Sequence, residues 1–198
     1  MSKDRIRKHY EPLVGDDVPG FRAADWSDAL AQQIRFAVLG DNVELTGRRL
    51  LDVGCGTGDL WAFLRDRDIA TDYLGVDLVD KAIAEARRRH PDGRFETVDV
   101  FAPGGFPAES FDVVFCSGAF NLDVGNNREF LPVAIARLVE LSRKVTAFNL
   151  LHARAASTYS HCFYWQPEEV RDMLAHFCGR VEIIDDYLMN DFTIICRK

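Results

Sequence analysis

Five cysteines (Cys55, Cys116, Cys162, Cys178, Cys196) are present without a single C-x-x-C pair. An odd number of thiols scattered through apolar runs does not make a disulfide framework, so a reducing cytoplasm is the expected compartment. No run of about 18 apolar residues occurs that could span a bilayer. The opening MSKDRIRKHYEPLV is too polar for a signal peptide. Neither membrane insertion nor secretion is expected. Positive charge is also short: 24 Lys and Arg face 31 Asp and Glu, for a net charge of −7 and a pI near 5.2. Such a surface repels a polyanion on average, which disfavours nucleic acid as a substrate. Basic clusters at Lys3–Lys8 and Arg87–Arg89 remain; the second reads as a solvated helix face and the first as a terminus that frays or meets an anion. Repeats, low-complexity tracts and interdomain linkers are absent too. The 198 residues, 47% apolar and 28% charged, suit one domain with a substantial core.

What is present begins at Leu50. LLDVGCGTGDL is an apolar strand ending in Asp52, then Gly54, Gly56 and Gly58 at every second position, then a helical run. Glycines at a strand-to-helix turn let a ligand approach the backbone, and the helix start offers unpaired N–H groups. A dinucleotide site needs G-x-G-x-x-G or G-x-G-x-x-A, and here the third position is Asp59, a carboxylate where pyrophosphate would rest. Asp52 likewise suits an ammonium group better than a phosphate. The pattern favours a zwitterionic or cationic cofactor. Cys55, inside the turn, reads as a small spacer rather than a redox group.

With these residues the chain resembles the class I S-adenosylmethionine (SAM) dependent methyltransferases, whose first motif is an apolar run, an acid and G-x-G-x-G. The likeness continues in order over residues 48–121. It implies that Asp77 in YLGVDLVD, beside Leu78, accepts from both ribose hydroxyls, and that Asp99 in FETVDVF meets the adenine amino group beside Val100 and Phe101. It also implies that FDVVFCSGAFN brings Ser117 and Gly118 to cofactor and acceptor. SAM, leaving as S-adenosylhomocysteine, is the implied cofactor.

Around these motifs the pattern predicts an irregular arm over 1–26, with aromatic points at Tyr10, Phe21 and Trp26. A helix capped by Ser27 and stopped at Gly40 follows, with a stripe of Leu30, Ile34 and Val38. Arm and helix (1–40) are expected to act as a lid, with Tyr10, Trp26, Gln32 and Arg35 as candidate contacts; 48–198 is the expected core of one SAM-binding domain. Strands at 48–54, 72–77, 94–99, 111–117 and 144–151 alternate with helices at 59–67, 80–89 and 127–142. That alternation argues for a Rossmann-like α/β fold, a mostly parallel doubly wound sheet. Pro167 opens a helix, and strands at 180–188 and 191–198, joined by about three residues, read as an antiparallel hairpin. Seven strands result, as in the family. The tail, with W-x-P-E-E-V, further resembles small bacterial methyltransferase-like chains of unassigned substrate.

Methyl transfer from a sulfonium needs chiefly in-line positioning at about 3 Å, exclusion of water and sometimes a base. After the fourth strand, SGAFN replaces the D-P-P-Y or N-P-P-Y signature of many amino-group methyltransferases, which disfavours nucleic-acid and protein acceptors. LLHARAASTYSHCFYWQ after the fifth strand reads as a loop over the sheet's carboxyl edge and the acceptor site. His152 and His161 are candidate bases there, or ordinary polar contacts. Tyr159, Tyr164 and Trp165 form a π-rich wall or a packed cluster. Asp112 and Asp123 do not make a compact ligand set with the histidines, so no metal is expected.

The leading expectation is methyl transfer to an oxygen or nitrogen of a small molecule, by a monomer or homodimer without nucleic-acid or membrane partners. The alternative is a SAM-binding regulator or partner subunit without catalysis, which would need the same cofactor cradle.

Overall fold

Two short helices, α1 (Lys3–Tyr10) and α2 (Gly20–Ala23), separated in part by a 3-10 turn at Glu11–Leu13, precede the longer α3 (Ala29–Asn42). Strands and helices then alternate: β1 (Arg49–Val53), α4 (Asp59–Asp66), β2 (Asp72–Asp77), α5 (Asp80–Arg89), β3 (Phe95–Thr97), β4 (Phe111–Ser117), α6 (Asn127–Leu141), β5 (Ser142–Leu151), α7 (Pro167–Leu174), β6 (Arg180–Ile184) and β7 (Asp191–Arg197). The computed structural model describes residues 3–102 and 104–198.

Strand alternation divides the apolar residues between two cores. Leu51 and Val53 of β1, Val114 and Cys116 of β4, and Phe148 and Leu150 of β5 face α6 and α7, which contribute Leu131, Ile135, Leu138, Val170 and Leu174. Leu50, Val113, Phe115, Val145 and Ala147 face the other way, onto Phe36 and Leu39 of α3, Phe63 and Leu64 of α4, and Ile83 of α5. Strands apolar on both faces need helices on both. The sheet order is β3-β2-β1-β4-β5-β7-β6, parallel except for β7. The winding reverses between β1 and β4, and ligands of open α/β sheets bind at the carboxyl ends of strands beside such a reversal.

The arm expected over 1–26 is largely helical; residues 1 and 2 lie outside the described residues. Helix α1 is strongly charged and buries no residue completely. What it offers the core is the i, i+4 pair Ile6 and Tyr10, too few apolar positions to register as periodicity. The cap of α3 is Asp28, whose Oδ1 accepts from Ala31 N at 2.7 Å, while the Ser27 hydroxyl donates to Asp28 itself. Leu30 is exposed and the buried face runs through Ala31, Gln32, Arg35, Phe36, Val38 and Leu39, one step round from the expected stripe. The helix passes Gly40 to end at Asn42, whose side-chain amide donates to Val38 O. The hairpin connection spans residues 185–190 rather than three residues, because β6 stops at Ile184.

Candidate functional site

The cleft at the reversal is built by the ends of β1, β2 and β4 with the loop after β3. Its wall includes Gly54, Gly56, Asp77, Leu78, Val79, Asp99, Val100, Phe101, Ser117 and Gly118. Gly56 has φ +55°, and a Cβ there would meet nothing within 4 Å. Its backbone is therefore open to an incoming group. Asp77 is fixed at both carboxylate oxygens, with Gly56 N donating to Oδ2 at 3.0 Å and Val79 N to Oδ1 at 2.9 Å. Burial raises its pKa above the usual carboxylate range against these N–H donors, which lower it. Each oxygen keeps a lone pair for a ligand hydroxyl. Asp99 lies just beyond β3; its Oδ1 accepts from Phe101 N at 3.0 Å and its Oδ2 is ion-paired with Lys3.

A smaller recess continues this cleft past Gly54, Gly56 and Ser117 to Asp52, Cys55, Asp59, Gln32 and Trp26. Asp52 is almost fully buried and accepts a 2.7 Å hydrogen bond from the Tyr73 hydroxyl. Burial pushes its pKa up to about 7, the Tyr73 bond opposing and Asp77 and Asp59 reinforcing the shift. At neutral pH this carboxyl is poised to ionise when a cation arrives.

Helix α1 covers the cleft. Ile6 and Tyr10 line it beside Ala23 and Ala24, while Arg7 Nε donates to Leu78 O at 3.1 Å. Sequence reasoning passed over Ile6, Ala23 and Ala24, which carry no chemistry of their own. It also passed over Asn149 of β5, whose Oδ1 accepts from Gly118 N at 3.1 Å and Ser117 Oγ at 3.2 Å. A lone amide in the apolar run AFNLL at the end of a central strand was the available signal.

A second cavity of about 300 Å³ adjoins the first and shares Tyr10, Ala24 and Gly118 with it. Tyr159, His161, Cys162 and Tyr164 from the loop after β5 line it, facing Trp26, Asn121, His9 and Asp25. Gly118 has φ +77°, and a Cβ there would lie 2.4 Å from Trp26 Cζ2. The close approach of this glycine brings Trp26 to the junction of the cavities. Among the described residues no Lys or Arg lines the second cavity. On one wall a single carboxylate oxygen, Asp25 Oδ2, lies 2.9 Å from His9 Nε2 and 3.2 Å from His161 Nε2. A carboxylate only accepts, so the hydrogen bond from His9 requires its proton on Nε2, while His161 Nε2 lies within ion-pair range of the same oxygen.

Four residues expected at the site lie elsewhere, among them Trp165, which is buried in the core against Phe163 and lines neither cavity. His152 lines none of the cavities described; its Nδ1 accepts from Arg154 N at 3.0 Å and its ring packs on Phe192. Burial lowers its pKa. Gly58 caps α4, and a Cβ there would press on the rings of His90 and Phe95 at 2.8 Å. Arg35 is buried against Asp191, with Nε donating to Oδ1 at 3.0 Å, and stacks over Trp26. The loop carrying His161 is also less free than its composition suggested. Bridges pair Leu122 with Cys162 and His152 with Trp165, and Asp123 N donates to His161 O at 2.8 Å.

Residues 50–141 match the methyltransferase domain family. That match takes in the glycine turn and the strands from β1 to β4 that build the cleft, and it supports a class I SAM-dependent methyltransferase family. It is 28% identical over 154 residues to the Mycobacterium tuberculosis protein named methyltransferase Rv1506c, covering 74% of this chain and 91% of that one. It is 31% identical to the trans-aconitate 2-methyltransferase of Escherichia coli O1:K1 / APEC over 48% of this chain, spanning only 40% of that enzyme's length. In fold it is similar to magnesium protoporphyrin IX methyltransferase from Synechocystis PCC 6803, solved with S-adenosylhomocysteine, at a TM-score of 0.72 and 16% identity with both chains fully covered. No helix among the described residues is long and apolar enough to cross a membrane.

Proposed function

We propose that this methyltransferase transfers the methyl group of SAM to an oxygen or nitrogen of a small aromatic or largely uncharged molecule held in the second cavity. The observation that carries this reading is the shared wall of the two cavities at Tyr10, Ala24 and Gly118. A methyl donor in the first and an acceptor in the second would meet there without crossing bulk water.

The residues fit SAM. Asp77 offers lone pairs to ribose hydroxyls, Val100 and Phe101 provide an apolar slot with Asp99 at its edge, and Asp52 in the recess suits an ammonium group. SAM supplies an activated methyl carbon, and the chain needs to supply position, dryness and a proton acceptor. His161 would take the acceptor's proton while Asp25, 3.2 Å from its Nε2, stabilises the resulting imidazolium. His9 braces the same carboxylate. We further propose residues 3–42 as the cover of a single cofactor-binding unit, with α1 as the lid.

The absence of Lys and Arg from the second cavity is unfavourable to a polycarboxylate such as the one named for the E. coli relative. Four aromatic rings, Tyr10, Trp26, Tyr159 and Tyr164, favour a planar acceptor. The test is a screen of phenols, aromatic amines and carboxylic acids for S-adenosylhomocysteine release. Phenols or amines turning over is the expected result. Release with carboxylic acids alone would overturn the acceptor class, and SAM binding without transfer to any class would favour a cofactor-binding protein that does not methylate.

A further inference from the structure

We propose that His9, Asp25 and His161 form a binding site for one divalent transition-metal ion at the wall of the second cavity. The ion's role there rests on reading that cavity as the acceptor site; its binding does not. From the sequence no metal is expected of Asp112 and Asp123 with the histidines; His9, Asp25 and His161 instead come from three distant segments that the fold assembles, the last turn of α1, the turn after α2 and the loop after β5.

The donor set fits by distance and by chemistry. His9 Nε2 and His161 Nε2 lie 2.9 Å and 3.2 Å from Asp25 Oδ2, and the three donor atoms fall within 4.8 Å of one another. Metal–ligand bonds of about 2.0–2.2 Å place neighbouring donors roughly 3.0–3.4 Å apart in tetrahedral or octahedral sites. Coordination through Nε2 leaves each neutral ring with its proton on Nδ1, and drawing the three donors onto one ion needs modest rotations of the rings. Two imidazoles and one carboxylate favour zinc, iron or cobalt over magnesium or calcium, which prefer all-oxygen sites. Three protein ligands leave a coordination position open, the pattern of catalytic rather than structural zinc.

The cluster is also held in place. Asp25 adopts φ +59°, unusual for a non-glycine residue, and is fixed by Asp25 N donating to Arg22 O at 3.0 Å and Trp26 N donating to Phe21 O at 2.7 Å. All three side chains are partly exposed, so an ion and a further ligand have access. A bound ion would place positive charge in a cavity otherwise without it. With the ion bound, His161 serves as a ligand in place of a base: an acceptor hydroxyl that coordinates the ion would lose its proton to solvent more readily, and the oxygen lone pair would form the new C–O bond as the S–C pair returns to sulfur. The ion would also tie α1, which covers the cofactor cleft, to the loop after β5.

The test is titration of the chelator-stripped full chain with cobalt(II), followed by its visible absorption, and equilibrium dialysis with zinc(II). One ion per chain is expected, with magnesium giving none. Asp25→Asn, His9→Ala and His161→Ala should each weaken binding by more than the roughly 10–100-fold typical of losing an outer-shell partner. Thermal melting of each metal-free variant shows whether it is folded. Equal cobalt spectra and zinc retention in the wild type and the folded variants would overturn the site, as would absence of binding in the wild type. SAM binding, measured separately by calorimetry on the same samples, keeps the two readings apart: its failure in the wild type removes the proposed function and leaves the metal result standing.

Discussion

At the scale of single residues, Asp52 offers a sharp prediction. Its folded pKa of about 7 stands above the unfolded carboxylate value, so this group favours folding at low pH and the contribution is lost as pH rises through 7. Cofactor binding has the opposite dependence, because a cationic ligand prefers the ionised carboxyl. SAM affinity should rise between pH 6 and 8 with net release of a proton, seen as a buffer-dependent heat in calorimetry, and Asp52→Asn should abolish both. Loss of Asp77 in Asp77→Ala should weaken SAM binding by about 1.5–3 kcal/mol, the worth of hydrogen bonds to a charged group. An unchanged dissociation constant would remove the ribose role. The two candidate bases now separate. His161→Ala should lower kcat with SAM affinity preserved, whereas His152→Ala should leave kcat alone and reduce stability by about 1 kcal/mol, the worth of the bond from Arg154 N. Steady-state kinetics beside thermal melting distinguishes these outcomes. From sequence the two histidines were equivalent, because nothing in HARAASTYSH reports that one ring turns into the structure beside Phe192 while the other faces a cavity.

At the scale of elements, the motifs that carry local rules were legible. The acid and glycines after β1, the apolar strands and the Pro167 helix start each follow from chemistry contained within a few residues. Helix α1 was not, since among the described residues only Ile6 and Tyr10 of it line the cleft and its other anchors include polar ones: Lys3 to Asp99, Arg7 to Leu78 O and His9 to Asp25. A helix held by so few apolar contacts is well suited to opening and closing. Tyr10→Ala should therefore raise the dissociation constant of SAM and accelerate hydrogen exchange in α1, leaving exchange in β1 and β4 unchanged. Equal exchange in the variant and the parent would contradict a covering role for Tyr10.

On the scale of the whole molecule, distant segments are joined by one buried ion pair. Arg35 of α3 and Asp191 of β7 are both almost completely buried, and Arg35 also supports Trp26, which borders the second cavity. Burial raises the Asp191 pKa, with Arg35 opposing the shift. Removal of one partner leaves an uncompensated buried charge, so Asp191→Ala should cost about 3–5 kcal/mol in denaturant unfolding. Pairs and clusters of this kind, like His9 with Asp25 and His161, depend on how α1, α3 and the loops return to the sheet. That is why the cleft at the sheet reversal is lined by residues of contiguous motifs, whereas of the second cavity only the contribution of the loop after β5, with Tyr159, His161 and Tyr164, was legible.

The central claim is that the cleft beside Gly56 and Asp77 holds SAM. It is tested most directly by calorimetric titration of the full chain with SAM, S-adenosylhomocysteine and NAD. Saturable binding of the two sulfur ligands and none of NAD is the predicted result. Binding of NAD, or failure of both sulfur ligands to bind a folded sample, would contradict the account.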